Sequence, residues 1–272
     1  MTYECIEFER VGSVGWLRLA RPERLNAFTI AMWHEMRALG EELRDDAELR
    51  ALVVIGKGRA FSSGIDTSVF TGGAETIESG DDAGSRNADP TIDGILRAQA
   101  AYSWLAEARY PTIAAVRGFA LGAGLQLALA CDVRVFARGS QVGLLEHKYG
   151  ILPDLGGTQR LPRVVGPSKA KEMIWTAARI DAEESYRIGL CDRLVDDADL
   201  DAEVTGLAAT IAGQPPLAVQ GVKRAVEAAG RLPVSEGLLV EAQEQRVCLA
   251  SDDMREAIAA FVEQRTPEYK GK

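Results

Sequence analysis

The sequence predicts an α/β fold that gives way to a purely helical C-terminal part, and three observations carry that prediction. Short apolar runs of strand length alternate with longer segments of helical period over roughly the first two hundred residues. Gly-rich turns follow several of these runs directly. After about Asp196 the pattern becomes helical alone, which divides the chain into an expected core, 1–196, and an expected helical region, 197–272.

The elements follow in order. Val14 to Leu19 reads as a strand, with Leu17 and Leu19 flanking Arg18. A helix is predicted from about Thr29 to Arg44, because Met32, Trp33, Met36, Leu39 and Leu43 fall on one face. Ala51 to Ile55 is a continuous apolar run, the pattern of a strand buried on both sides. Thr112 to Val116 and Asp132 to Phe136 read as further strands. Thr71 to Pro90 is rich in Gly, Asp, Ser and Thr and nearly free of large apolar residues, so a loop is expected there. Asp181 with Glu184 three residues on is a capping-box signal. Pro215 and Pro216 sit where a helix can start and Gly230 where it can stop. Ser251 and Asp252 can cap a last helix carrying Ile258, Phe261 and Val262. No internal repeat of fixed period is present.

Composition excludes several classes. The chain has 272 residues, 47% of them hydrophobic and 26% charged, which is globular rather than disordered. Its formal net charge of −9 disfavours nucleic acid and anionic membrane surfaces as partners. No run approaches the roughly 20 apolar residues of a membrane span, and the polar start, Met1 to Arg10, does not read as a signal peptide. Cys5, Cys131, Cys191 and Cys248 are scattered and form no CxxC pair, and there are only two histidines. Reduced thiols in a cytoplasmic protein, with no metal and no redox cofactor, are therefore expected. Trp33, Trp104 and Trp175 are expected as core or interface anchors.

Three Gly-rich segments could carry chemistry. The first runs from Gly56 to Asp66, directly after the buried strand; its small residues allow a ligand close to the backbone, and they also suit an ordinary strand-to-helix loop. In the second, Gly118 to Asp132, small residues open a strongly apolar helix. The free N–H groups of such a start suit an anion or a developing oxyanion, while the same residues suit a tightly packed buried helix. A GxGxxG fingerprint is absent. The third, Val142 to Pro162, places Glu146 and Asp154 in apolar, Gly-rich surroundings that would raise their pKa values. His147 and Lys148 beside Glu146 fit a solvated face as well.

Taken together, the three segments resemble the crotonase, or enoyl-CoA hydratase/isomerase, superfamily. The resemblance begins at Arg21-Pro22-Glu23-Arg24-Leu25-Asn26-Ala27, similar to the family's RPxxxNA turn. It continues through Ala60 to Asp66, Leu121 to Asp132 and Gly150 to Pro162. It ends at Phe261 to Pro267, similar to a closing FxxKRxP in which Gln264 stands for the lysine. The resemblance implies a crotonase spiral of ββα units with a C-terminal α-helical region that assembles a homotrimer or a dimer of trimers. It implies an acyl-CoA thioester as ligand, with no cofactor beyond the coenzyme A of the substrate. The thioester oxygen would lie between the backbone N–H groups of Ile65 and Ala123, the latter standing where the family usually has glycine. Arg24, Ser62, Gly64 and Asp66 fall in the segments that would contact CoA, and Lys57 could reach a phosphate. Tyr102 and Trp104 are candidates for the acyl channel.

The resemblance also separates reactions. Hydratases of the family use two glutamates; the later position matches Glu146, whereas Gln126 occupies the earlier one. A neutral amide can orient a group but cannot act as acid or base. Some isomerases keep only the later glutamate, and dienoyl-CoA isomerases add an aspartate at the position of Asp154. The expected activity is therefore double-bond isomerisation of an unsaturated acyl-CoA, with Glu146 as base and Asp154 as partner. Hydration of 2-enoyl-CoA by Glu146, with Gln126 holding the water, is the second expectation, and non-catalytic acyl-CoA binding the third.

Overall fold

The computed structural model describes residues 3–71 and 89–272. Nearly all of the expected Thr71–Pro90 loop thus lies outside the described residues. Among the described residues nine strands form two sheets. The larger has the order β1 (Ile6–Val11), β2 (Val14–Leu19), β3 (Ala51–Gly56), β4 (Thr112–Val116), β6 (Val133–Ala137), β9 (Arg193–Val195); the smaller has the order β5 (Phe119–Leu121), β7 (Gln141–Gly143), β8 (Ile180–Asp181). β1 and β2 are an antiparallel hairpin, and from β2 to β9 the large sheet is parallel.

The chain climbs as a spiral in which each turn gives one strand to the large sheet and a short segment to the small one. β4 is followed by β5 and β6 by β7, and β5 pairs with β7 in parallel. One turn earlier, β3 is followed by Ser62, which bridges Ala120 of β5. This succession is what brings the Gly56–Asp66 and Gly118–Asp132 segments side by side.

Helices cover both faces of the large sheet. α1 (Ile30–Leu43) starts at Thr29, whose side chain accepts from Met32 N–H, and its buried residues include the predicted face. After a single turn, α2 (Ser68–Thr71), comes α3 (Pro90–Glu107), which the sequence reading did not foresee. Asp89 caps α3 and Pro90 occupies its first turn, a start signal hidden at the edge of the polar stretch. α3 packs on α1, where a Cβ on Gly40 would come within 2.6 Å of the Trp104 ring. Then follow α4 (Ala123–Ala130), α5 (Gly157–Val165), α6 (Pro167–Thr176) and α7 (Ala182–Arg187). Asp181 caps α7 through Glu184 N–H, but the Glu184 carboxylate turns to Arg187, so only half of the predicted box forms.

The last strand ends at Val195, and the regular elements after it are helices, chiefly α8 (Leu200–Ala212), α9 (Pro216–Ala229), α10 (Val234–Ala250) and α11 (Asp252–Glu263), with 264–272 outside them. Ser251 caps α11 through Met254 N–H. α8 alone lies on the back of the large sheet, its residues Leu200, Val204, Ala208 and Ala212 meeting Ala51, Val53, Ile55, Ile113 and Val135. The alternate residues of the same strands, Leu52, Val54, Ala114 and Phe136, belong to the larger front core. The strand period of two thus feeds two separate cores. α9 to α11 instead leave Val226, Val234, Leu238, Ile258, Phe261 and Val262 exposed. Trp33 is buried in the front core, whereas Trp175 is 67% exposed. Among the described residues no helix is long and apolar enough to cross a membrane.

Candidate active site

The site is assembled where the two Gly-rich turns meet. Ser62 N–H donates to Phe119 O and Leu121 N–H donates to Ser62 O, at 2.8 and 3.0 Å. Gly64 then takes φ +109°, and a Cβ there would stand 3.0 Å from Leu121 O. Gly122, at φ 51°, ends β5 and opens α4. Glycine suits both positions: φ is positive at each, and a Cβ would press on Leu121 O at Gly64 and on Glu146 Oε1 at Gly122.

Among the described residues, the N–H groups of Ile65 and Ala123 stand at this junction without a backbone partner. Phe28 bridges Ile65 in parallel, through Phe28 N–H to Gly64 O and Asp66 N–H to Phe28 O, which turns the Ile65 N–H away from Phe28. Ala123 is the first residue of α4, where an N–H has no partner inside its own helix. Ala123 is in the helical region of the map, so the alanine sits without strain and its N–H stands at the positive end of α4. A Cβ on Gly64 would come within 3.9 Å of Ala123 N, so the two donors share one small space.

Glu146 closes that space. It begins a 3-10 turn after β7 and is 5% exposed, while His147 and Lys148 are exposed and turned away. A Cβ on Gly122 would meet Glu146 Oε1 at 3.3 Å, which puts the carboxylate directly against the turn between the two donors. Gln126, one turn into α4 and 1% exposed, donates from Nε2 to Glu146 Oε1 at 2.8 Å. The amide oxygen accepts from Leu155 N–H at 2.8 Å and Gly157 N–H at 2.9 Å. The Glu146 Oε2 atom is buried without a hydrogen-bond partner.

Burial pushes the Glu146 carboxyl above the usual carboxylate range; its own backbone N–H and the Gln126 amide pull back, and the charge of Asp154 adds to the rise. Asp154 is half-buried, and burial raises its pKa too. Its main-chain oxygen accepts from Gln99 Nε2 at 2.6 Å. The structure therefore brings Ile65, Ala123, Gln126, Glu146 and Asp154 to one place. A buried and a half-buried carboxyl, both of raised pKa, beside N–H donors can take up and return a proton near a developing negative oxygen.

The expected CoA contacts fare differently. Arg24 is exposed, on a 3-10 turn at Pro22–Arg24. Ser62 is fully buried, and its hydroxyl donates to Asn26 O at 2.8 Å and accepts from Gly64 N–H at 3.2 Å. With its backbone groups also paired, Ser62 shapes the turn and has nothing left for a ligand, which corrects the expectation. Gly64 contributes shape and its carbonyl to Phe28. The Asp66 carboxylate accepts from Ser68 N–H and Oγ and pairs with Arg21 at 3.2 Å, which lowers its pKa. Lys57 pairs with Glu7 at 2.6 Å. Tyr102 is fully buried against Phe28, and the charges of Glu146 and Asp154 reach its hydroxyl. Trp104, two residues on, packs its ring on α1 at Gly40.

Sequence reasoning assigned no role to Asn26, which is fully buried with φ 54°. Its side chain accepts from Arg21 N–H and donates to Lys57 O and Ala60 O, tying the Arg21–Ala27 turn to the first Gly-rich segment. Its place in the RPxxxNA turn was the available signal.

Comparison with known proteins identifies the family. The family profile described as Enoyl-CoA hydratase/isomerase matches residues 9–272. The chain belongs to the enoyl-CoA hydratase/isomerase family. Among its relatives, a Mycobacterium tuberculosis protein named as an enoyl-CoA hydratase, echA8, is 38% identical over 271 residues, covering 99% of both chains. The crotonyl-CoA hydratase of Syntrophomonas wolfei is 33% identical over 273 residues, covering 100% of both. A Thermobifida fusca structure solved in complex with CoA is 36% identical with a TM-score of 0.80, covering 90% of this chain and 93% of its own. The fold is that of the crotonase enzymes, and the chain is an enzyme of that family, which sets aside the non-catalytic expectation.

Proposed function

We propose that this family member isomerises the double bond of an unsaturated acyl-CoA thioester, with Glu146 as the base. The observation that carries the reading is the chemistry of position 126. A family hydration uses two acid/base carboxyls, and here one of those positions holds a neutral amide that carries no titratable proton. What remains is one ionisable carboxylate against the donor pair, with a second carboxyl, Asp154, close by. In a 3-enoyl-CoA, Glu146 would take a proton from C2 as the electron pair moves onto the thioester oxygen, held by Ile65 N–H and Ala123 N–H. Return of the proton to C4 completes the shift to the 2-enoyl isomer. In a 3,5-dienoyl-CoA, Asp154 would deliver the second proton. Such a reaction needs no cofactor beyond the CoA carried by the substrate.

The acyl-CoA class is supported by the CoA complex of the Thermobifida fusca neighbour and by the names of the relatives. Those names also favour a second reading, hydration of 2-enoyl-CoA by water activated on Glu146. Assembly into trimers, or pairs of trimers, through α9 to α11 is part of the proposal, and the apolar side chains those helices leave uncovered support it. The deciding experiment offers purified enzyme 2-enoyl-, 3-enoyl- and 3,5-dienoyl-CoA and separates products by chromatography with mass spectrometry. Products of unchanged mass with a moved double bond are expected. Addition of one water to the 2-enoyl thioester, with no isomer formed from the other two, would replace isomerisation by hydration.

A further inference from the structure

Glu146 has one tied oxygen and one untied. Oε1 accepts from Gln126, whereas Oε2 is enclosed without any donor. A buried acceptor left unsatisfied is costly, so it marks a place completed by another molecule. Which end of the Gln126 amide faces Glu146 is not adjustable. Its oxygen accepts from two backbone N–H groups, of Leu155 and Gly157, and a flipped amide would turn its own N–H bonds against both. The NH2 group is thereby forced onto Glu146 Oε1. Leu155 lies in the loop that carries Asp154 and Gly157 opens α5 at its end, so one amide joins both carboxyl-bearing segments.

We propose that Gln126 is a positioning residue that confines proton transfer to a single oxygen, Oε2 of Glu146, and holds that oxygen in register with the loop of Asp154. The inference rests on the proton-transfer reading above. In the forward step the C2–H bond breaks, its electron pair passes to the thioester oxygen, and an O–H bond forms at Oε2. In the return step that O–H bond breaks, the proton goes to C4, and the carboxylate is restored. A carboxylate that cannot rotate keeps the proton facing the substrate, so the proton taken from C2 reappears in the product instead of being exchanged with water.

The test uses 3-enoyl-CoA dideuterated at C2, in ordinary water, with kcat followed against pH and the isomer analysed for deuterium at C4, the position that counts as retained label. The parent enzyme is expected to retain a measurable share of the label. Gln126→Glu keeps an acceptor for Leu155 and Gly157, so the loop stays held. It sets two carboxyls at the 2.8 Å now spanned by the amide hydrogen bond, where both cannot be ionised together. The acid limb of the profile should move up by about one pH unit or more, and retained label should fall about twofold or further. Gln126→Leu should lower kcat about tenfold with KM little changed, as expected for a group that acts on the transition state and not on binding. If Gln126→Leu does not fold, the Gln126→Glu arm decides alone. An unchanged acid limb together with unchanged label retention in Gln126→Glu would overturn the positioning role. A parent enzyme that forms no isomer and moves no deuterium would instead overturn the proton-transfer reading itself, and this inference with it.

Discussion

On the back of the large sheet, α8 lays Leu200, Val204, Ala208 and Ala212 against Ala51, Val53, Ile55 and Val135, a buried cluster of apolar side chains. On the front, the same strands run into turns that bury Asn26, Ser62, Gln126 and Glu146. The back layer gains from each contact, about 1.5–3 kcal/mol for a fully buried aliphatic side chain. The front encloses an ionisable carboxyl with an orphan oxygen, a feature that burial disfavours. The difference teaches where stability and chemistry are separated in this chain. The back holds the strands in place so that their ends on the other side can carry a strained, partly unsatisfied arrangement.

The most severe break of the comparison is Glu146→Gln. The substitution keeps size and an acceptor for Gln126 Nε2 but removes the base. Turnover in the isomerase assay should fall on the order of a thousandfold, while the affinity for a saturated acyl-CoA, measured by calorimetry, should change little. Retention of full turnover would remove Glu146 from the mechanism. A loss of both turnover and ligand affinity would make it a structural residue.

That residue also shows how much was legible in advance. Strands buried on both faces, such as Ala51–Ile55, announce themselves as unbroken apolar runs, and α1 announces itself by its cap and its apolar face. β1 went unread although Ile6 and Phe8 alternate with Glu7 and Glu9: the alternation lasts only four residues before Arg10 breaks it, and of Ile6–Val11 only Ile6 is fully buried. α3 went unread because its cap, Asp89, merges with a polar stretch. At the site, Glu146 stood out as a carboxylate among apolar residues. The environment of Gln126 did not, because its oxygen is held by backbone N–H groups, which leave no mark on residue type. Ser62 misled for the related reason that a hydroxyl on a Gly-rich turn reads the same whether it faces a ligand or Asn26 O.

A smaller effect, confined to the other face, comes from Leu200→Ala. Leu200 is fully buried at the start of α8 and makes no contact with the site turns. The cavity should cost about 2–5 kcal/mol in urea unfolding, with kcat at 25 °C unchanged in the folded enzyme. If kcat falls in parallel with stability, the two faces are mechanically coupled and the separation argued above is wrong.

The smallest effect is in the pH dependence of stability, and it sharpens the comparison most finely. Burial raises the Glu146 carboxyl in the folded state above its value in the unfolded chain. Between those two values the folded protein binds more protons than the unfolded one, so its stability falls as pH rises through that interval. Below the ordinary carboxylate value both states are protonated and the group adds no penalty. Above the raised value the full cost of the buried charge is present. Asp154, raised for the same reason, contributes in the same sense. In Glu146→Gln the Glu146 component is gone. Thermal melts from pH 4 to pH 8 should therefore show a Tm difference, variant minus parent, that grows with pH. Leu200→Ala, which touches no titrating group, should shift Tm by the same amount at every pH. A flat difference for Glu146→Gln would mean that the substrate-free carboxylate is solvated well enough to ionise without cost, and the front of the sheet would then hold no more strain than the back.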